Sequence, residues 1–280
     1  MKTVFSLMAL AVILAACAAH PAGGIKVAED GTPVPDVSRS KPDVQRYVKL
    51  GQQATDDGKP EVAGMMLQAA VNSAPDDPAP RLALAQLEER AGDEEQAAKI
   101  YDDLAGKAGK KDMLPLKLAA ARAYLKAHKY DEAATRYEAL TNNQSDSENI
   151  WRAYNGLGVV HDLQGNEPTA IRAYQTALEK APADDKPKVR ANLALSYILG
   201  HQPRQAIELL APLEKNDTLS STEKRYLALA YGFMGRVEEA QRLGLAEPPT
   251  YELMQQSLEA EGGPAVVAAP AGKVASEPVN

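Results

Sequence analysis

Four histidines, one cysteine and several acidic pairs are the residues of this 280-residue chain that could carry chemistry, and their spacing decides which can act together. His20 stands in a stretch rich in Pro, Gly and Ala, His128 and His201 fall at turns, and only His161 lies inside a helical pattern, beside Asp162. No two histidines share the spacing by which one helix face holds a metal, so neither a metal site nor a poised imidazole base is assembled. Gly109-Lys110 lacks the earlier glycine and the following hydroxyl residue of a phosphate-binding loop. Asp76-Asp77, Asp102-Asp103, Asp184-Asp185 and Glu238-Glu239 fall at helix starts and in loops, where carboxylates stay solvated and ionised. An enzyme is not expected, nor a cofactor. The 31 Lys and Arg against 38 Asp and Glu give a net charge of −7, and no basic run exceeds Lys110-Lys111. A surface that collects phosphates is therefore excluded, and with it a nucleic-acid partner. Cys17 has no second cysteine to pair with, so an internal disulfide is impossible.

The surroundings of Cys17 give it a different role. Lys2 is followed by an uncharged apolar run over residues 4–14, too short to span a bilayer and suited to the central region of a secretory signal peptide. The run ends in Leu14-Ala15-Ala16-Cys17, which resembles the lipobox of bacterial lipoproteins. That resemblance implies cleavage after residue 16, a covalent lipid on Cys17, and attachment to a membrane by that lipid alone. Ala18 is not Asp, which by the sorting rule of Gram-negative lipoproteins implies the periplasmic face of the outer membrane. Residues 17–43 are rich in Pro, Gly, Ala and Ser without helical period and read as a flexible tether. About 24 residues of coil would reach roughly 27 Å. Residues 262–280 have a similar composition and are expected to be a disordered tail.

Between these ends the elements repeat. A small residue follows a short polar or acidic stretch at Ala63, Ala97, Ala133, Ala170, Ala206 and Ala240, at separations of 34 to 37 residues. Twelve residues before each stands another: Gly51, Ala85, Ala121, Gly158, Ala194 and Ala228. Small residues at two fixed points per unit let paired helices cross closely. Gly58, Gly92, Gly165 and Gly235 suit left-handed ends of the first helices, and Pro60, Pro168 and Pro203 suit the starts of the second. The third unit has Ala127-His128 in place of a turn glycine.

This pattern resembles the tetratricopeptide repeat, a helix-turn-helix unit of 34 residues. The resemblance implies an all-α, right-handed superhelical solenoid over residues 44–261, with repeats at about 44–77, 78–111, 114–147, 151–184, 187–220 and 221–254. A capping helix over 250–261 would close its open end. In this family the first helices line a concave groove. The register places Leu118, Arg122 and Leu125, then Asn155, Val159 and Asp162, then Leu195, Ile198 and Leu199, then Arg225, Leu229 and Phe233 along it. Gln45, Gln52, Gln86 and Arg90 are more polar candidates in the first two repeats, and the Lys and Asn clamp of chaperone-binding members is not assembled.

An apolar stripe flanked by Arg and Asn suits a helix or extended segment of a partner protein. A lipid anchor followed by such repeats resembles pilotins and the TadD-type assembly lipoproteins of the Flp (tight adherence) pilus. The partner implied is an envelope protein such as a secretin or another pilus-assembly component. The alternative is a periplasmic scaffold that recruits peptidoglycan enzymes or outer-membrane assembly factors.

Overall fold

In a computed structural model, residues 24–142 and 149–245 are described. Within them run twelve α-helices: α1 Pro42–Asp56, α2 Pro60–Ser73, α3 Pro78–Ala91, α4 Glu94–Lys107, α5 Lys110–Lys126, α6 Tyr130–Asn142, α7 Ile150–Leu163, α8 Glu167–Lys180, α9 Lys186–Leu199, α10 Pro203–Lys215, α11 Ser221–Phe233 and α12 Val237–Arg242. Each helix packs on the next, so the described residues form a stack of helix-turn-helix units whose main contacts are between neighbours. Cys17, the signal peptide, the capping helix expected over 250–261 and the tail over 262–280 lie outside the described residues.

Local chemistry explains where the helices begin and end. Asp77 accepts from the Ala79 N–H at 3.0 Å at the start of α3, and Asp93 accepts from the Gln96 N–H at 3.1 Å at the start of α4. Ser220 and Glu223 form a reciprocal capping box on α11. The turn glycines hold left-handed backbone, with φ of 70° at Gly58, 83° at Gly92, 69° at Gly165 and 71° at Gly235. Where the third repeat lacks that glycine, His128 takes the same conformation at φ 56°, and His201 does so in the fifth. The missing glycine thus left the turn type unchanged. α5 starts at Lys110, ahead of the third repeat's expected start, and carries Pro115 inside it.

The crossings are as close as the small residues require. Ala63, Ala97, Ala133, Ala170 and Ala206 are fully buried, as are Ala85, Ala121 and Ala194. A Cβ added at Gly158 would lie 2.6 Å from the Tyr174 ring, and one at Gly156 would run into that of Tyr137. Leu67, Tyr101, Tyr137, Tyr174 and Leu210, four residues after the second small position, fill the space the small residues leave and are buried.

Of the tether expected over residues 17–43, residues 17–23 lie outside the described residues, and from residue 24 onward the structure replaces coil with regular elements. β1, Gly24–Val27, pairs antiparallel with β2, Pro33–Asp36, and a 3-10 turn over Val37–Arg39 leads into α1. The turn between the strands is closed by the Ala28 N–H to the Thr32 carbonyl at 2.9 Å, with Gly31 at φ 82°. Pro and Gly density reads as coil, yet Pro33 and Pro35 stand at alternate positions of a two-stranded ladder, where one edge needs no N–H.

Candidate partner-binding groove

α1 touches α3, α5 touches α7, α7 touches α9 and α9 touches α11, while no two second helices meet as extensively among the described residues. The first helices therefore lie closer together, and the array curves around them. Their free faces form the inner wall.

The structure divides the residues expected on that wall. Leu195, Leu199, Leu229 and Phe233 are half-buried on α9 and α11, each resting on the core beneath while keeping an open side. Val159 is similarly placed on α7, and Leu118 and Leu125 on α5. Ile198 is not on the wall: it is 0% exposed and belongs to the core between α9 and α10. Asp162 is also withdrawn. Its carboxylate accepts from the Ser196 hydroxyl at 2.7 Å and from the Tyr174 hydroxyl at 3.0 Å, and only 8% of the residue is exposed. Register alone gives the face a residue starts from, whereas the tyrosine of its own repeat and the serine one repeat later draw Asp162 inward. Burial pushes its carboxyl up to about 7 against the pull of those two hydrogen bonds. Asn155 stays half-buried but accepts from Asn192 Nδ2 at 2.9 Å, so it ties α7 to α9.

Arg225 is exposed and borders a cleft of about 290 Å³ with Ser221, Lys224, Leu243 and Leu245. At the other end, Gln52, Gln86 and Arg90 line a cleft of about 260 Å³ together with Thr55, Asp56 and Leu67, and Arg90 pairs with Asp56 at 3.0 Å. Gln45 is drawn away to the Ser40 carbonyl at 2.8 Å. Among the described residues no three His, Cys, Asp or Glu side chains gather as a metal site, and no helix is long and apolar enough to cross a membrane.

The middle of the wall is already covered. β2 lies against α3 and α5, and β1 against α3. Gln86 Nε2 donates to the Pro33 carbonyl at 3.0 Å, and Arg152 on α7 donates to the Asp30 carbonyl at 2.7 Å. Ile25 packs on the core cluster that contains Leu82, Ala85 and Ala121. The Thr32 N–H holds the Asp30 carboxyl below the usual carboxylate range, and the charges of Arg122 and Arg152 add to this. Sequence reasoning missed Arg152 and the hairpin, because their partners stand far away along the chain.

Residues 48–112 and 118–185 match the family described as Tetratricopeptide repeat. No curated protein matches the chain in sequence. Among solved structures, PilW, described as a widely conserved type IV pilus biogenesis factor, is similar with a TM-score of 0.56 at 14% identity, over 78% of this chain and 100% of that one. Pseudomonas aeruginosa PilF gives 0.53 at 18% identity, over 78% of this chain and 97% of that one. MamA from Desulfovibrio magneticus RS-1 gives 0.50 at 20% identity, over 62% of this chain and 95% of that one. At such identities the likeness is one of fold, and it agrees with the helix pairing and with the matched residues. Residues 48–112 and 118–185 match tetratricopeptide repeats, and the described residues fold as a solenoid of that kind.

Proposed function

We propose that this chain is a lipid-anchored scaffold on the periplasmic face of the outer membrane that holds a segment of an envelope protein in its groove and assists assembly of a Flp-type pilus or its secretin. The observation that carries the reading is the row of half-buried Leu195, Leu199, Leu229 and Phe233 on consecutive first helices. Apolar groups that keep an open side gain the hydrophobic term when a partner covers them. Likeness in fold to PilW supports the pilus class, and Leu14-Ala15-Ala16-Cys17 supports the anchor.

The test is a pull-down from envelope extracts with the mature domain and with a Leu229→Asp plus Phe233→Asp variant. A secretin or pilus-assembly protein should be recovered by the first and lost by the second, with circular dichroism showing both folded. Equal recovery by both would exclude this wall as the site. Recovery of murein hydrolases in place of a secretin would move the protein to the cell-wall scaffold class.

A further inference from the structure

The hairpin over residues 24–36 is the least expected part of the fold, and its chemistry matches the wall beneath it. Pro33 and Pro35 have no N–H, so the ladder bonds run through the Gly24–Asp36 and Lys26–Val34 pairs. The outer edge of β2 is left with carbonyls and no donors at residues 33 and 35. The turn likewise presents carbonyls, at Glu29 and Asp30. Against this acceptor edge the groove sets donors: Gln86 Nε2 at 3.0 Å from the Pro33 carbonyl, and the Arg152 guanidinium at 2.7 Å from the Asp30 carbonyl and 3.5 Å from that of Glu29. Gly31 holds φ 82°, which favours glycine, and a Cβ there would stand 3.0 Å from Arg152 Nε, so the turn lies close to the guanidinium. Asp30 adds a carboxylate near Arg122 and Arg152.

The contact is small for a fixed part of a fold. Only Pro33 of the eight strand residues is buried, while Lys26, Val27 and the turn residues Ala28, Glu29 and Asp30 are exposed. A two-stranded hairpin is marginal without a surface to lie on. It is held here by side-chain donors, the buried Pro33 and the partly buried Ile25.

We propose that the inner wall of repeats two to four is a binding site for an extended segment with proline at alternate positions and an acidic turn, that residues 24–36 fill it in cis, and that a partner segment of this chemistry enters by displacing the hairpin. This site is distinct from the apolar row on α9 and α11, and the inference depends on neither the anchor nor the pilus reading. The hairpin acts as a tethered competitor, present at an effective concentration in the millimolar range. A partner must exceed that to enter, which sets a threshold for occupation.

The probe is a fluorescent synthetic peptide of residues 24–36, followed by anisotropy against the full chain in detergent. The wild type should bind it at least about tenfold more weakly than a variant whose own hairpin is vacated by Ile25→Ser, Pro33→Gly and Val34→Ser together. Adding Arg152→Ala to that variant should weaken the peptide about tenfold. Equal binding to wild type and the vacated variant, or none to a vacated variant with intact helical dichroism and melting, overturns the proposal. Hydrogen exchange on the wild type keeps the question decidable should the vacated variant fail to fold. The Lys26, Ala28 and Val34 amides should exchange through a local opening, ahead of the buried amides of α5 and α7, and faster still in Arg152→Ala. Exchange of the hairpin only together with those helices would make it a permanent element and overturn the proposal.

Discussion

Asp162 shows how a single buried acid sets a pH dependence for the whole solenoid. Its folded carboxyl titrates at about 7, whereas its ordinary value is 3.8. Between those values the folded state keeps a proton that the unfolded chain has released, so stability falls as pH rises across that window and changes no further above it. Urea titrations at pH 4.5 and 7.5 should show the wild type weaker at the higher pH, and Asp162→Asn should remove that difference. An unchanged difference in the variant would place the dependence on another group. The glycines permit a second comparison. Gly158→Ala drives a methyl into the fully buried Tyr174 ring, which is itself fixed by its bond to Asp162, and should cost about 1 to 3 kcal/mol. Gly106→Ala on α4 meets nothing within 4 Å and should gain about 0.5 kcal/mol from helix propensity. A thermal melt of Gly158→Ala that rises as that of Gly106→Ala does would mean that the Tyr174 contact yields at no cost.

Helices in this array are coupled one repeat at a time. Polar partners recur at about the repeat spacing: Arg90 with Asp56, Arg136 with Asp102, Asn192 with Asn155, Ser196 with Asp162 and Arg190 with Glu223. Arg90 with Asp56 is exposed and contributes little, whereas Glu223 is 0% exposed and lies 2.7 Å from Arg190 Nε, tying α9 to α11. Removing its partner strands a buried carboxylate, so Arg190→Met should cost about 3 to 5 kcal/mol, while the double variant Arg190→Met plus Glu223→Gln should recover part of it. Hydrogen exchange should localise the loss to α9 through α12, since a stacked array opens from its weakened interface. Uniform loss along the chain would show the repeats to be one cooperative block. The same one-repeat logic explains what could be read in the sequence. Gly51 to Ala228 and Ala63 to Ala240 recur because every repeat must solve the same crossing, so the helices were legible. The hairpin was not, because Gln86 and Arg152 stand 53 and 122 residues from the carbonyls they meet and nothing local distinguishes residues 24–36 from coil. Asp162 and Ile198 were placed on the wall by register, which fixes a direction from the helix axis but not what a neighbouring repeat offers there.

At the scale of the whole molecule, the hairpin would limit the reach of the proposed lipid anchor. Docked, it leaves seven residue steps between Cys17 and Gly24, which span at most about 25 Å even fully extended. The inner wall of repeats two to four would then be held close to the lipid surface, whereas release of the hairpin frees some 24 residues of coil before α1. The proposed anchor rests on one residue. The sequence that motivates it is Leu14-Ala15-Ala16-Cys17 after an uncharged apolar run, and two or three acyl chains on that residue would give stable attachment where one alone is marginal. Cys17→Ser should move the protein from the membrane pellet to the soluble fraction, or leave it unprocessed with residues 1–16 still attached. Labelling with radioactive palmitate should be lost in the same variant. Equal labelling of wild type and Cys17→Ser, with both in the pellet, would refute the anchor, and mass spectrometry of the mature amino terminus would then identify where the chain is actually cut.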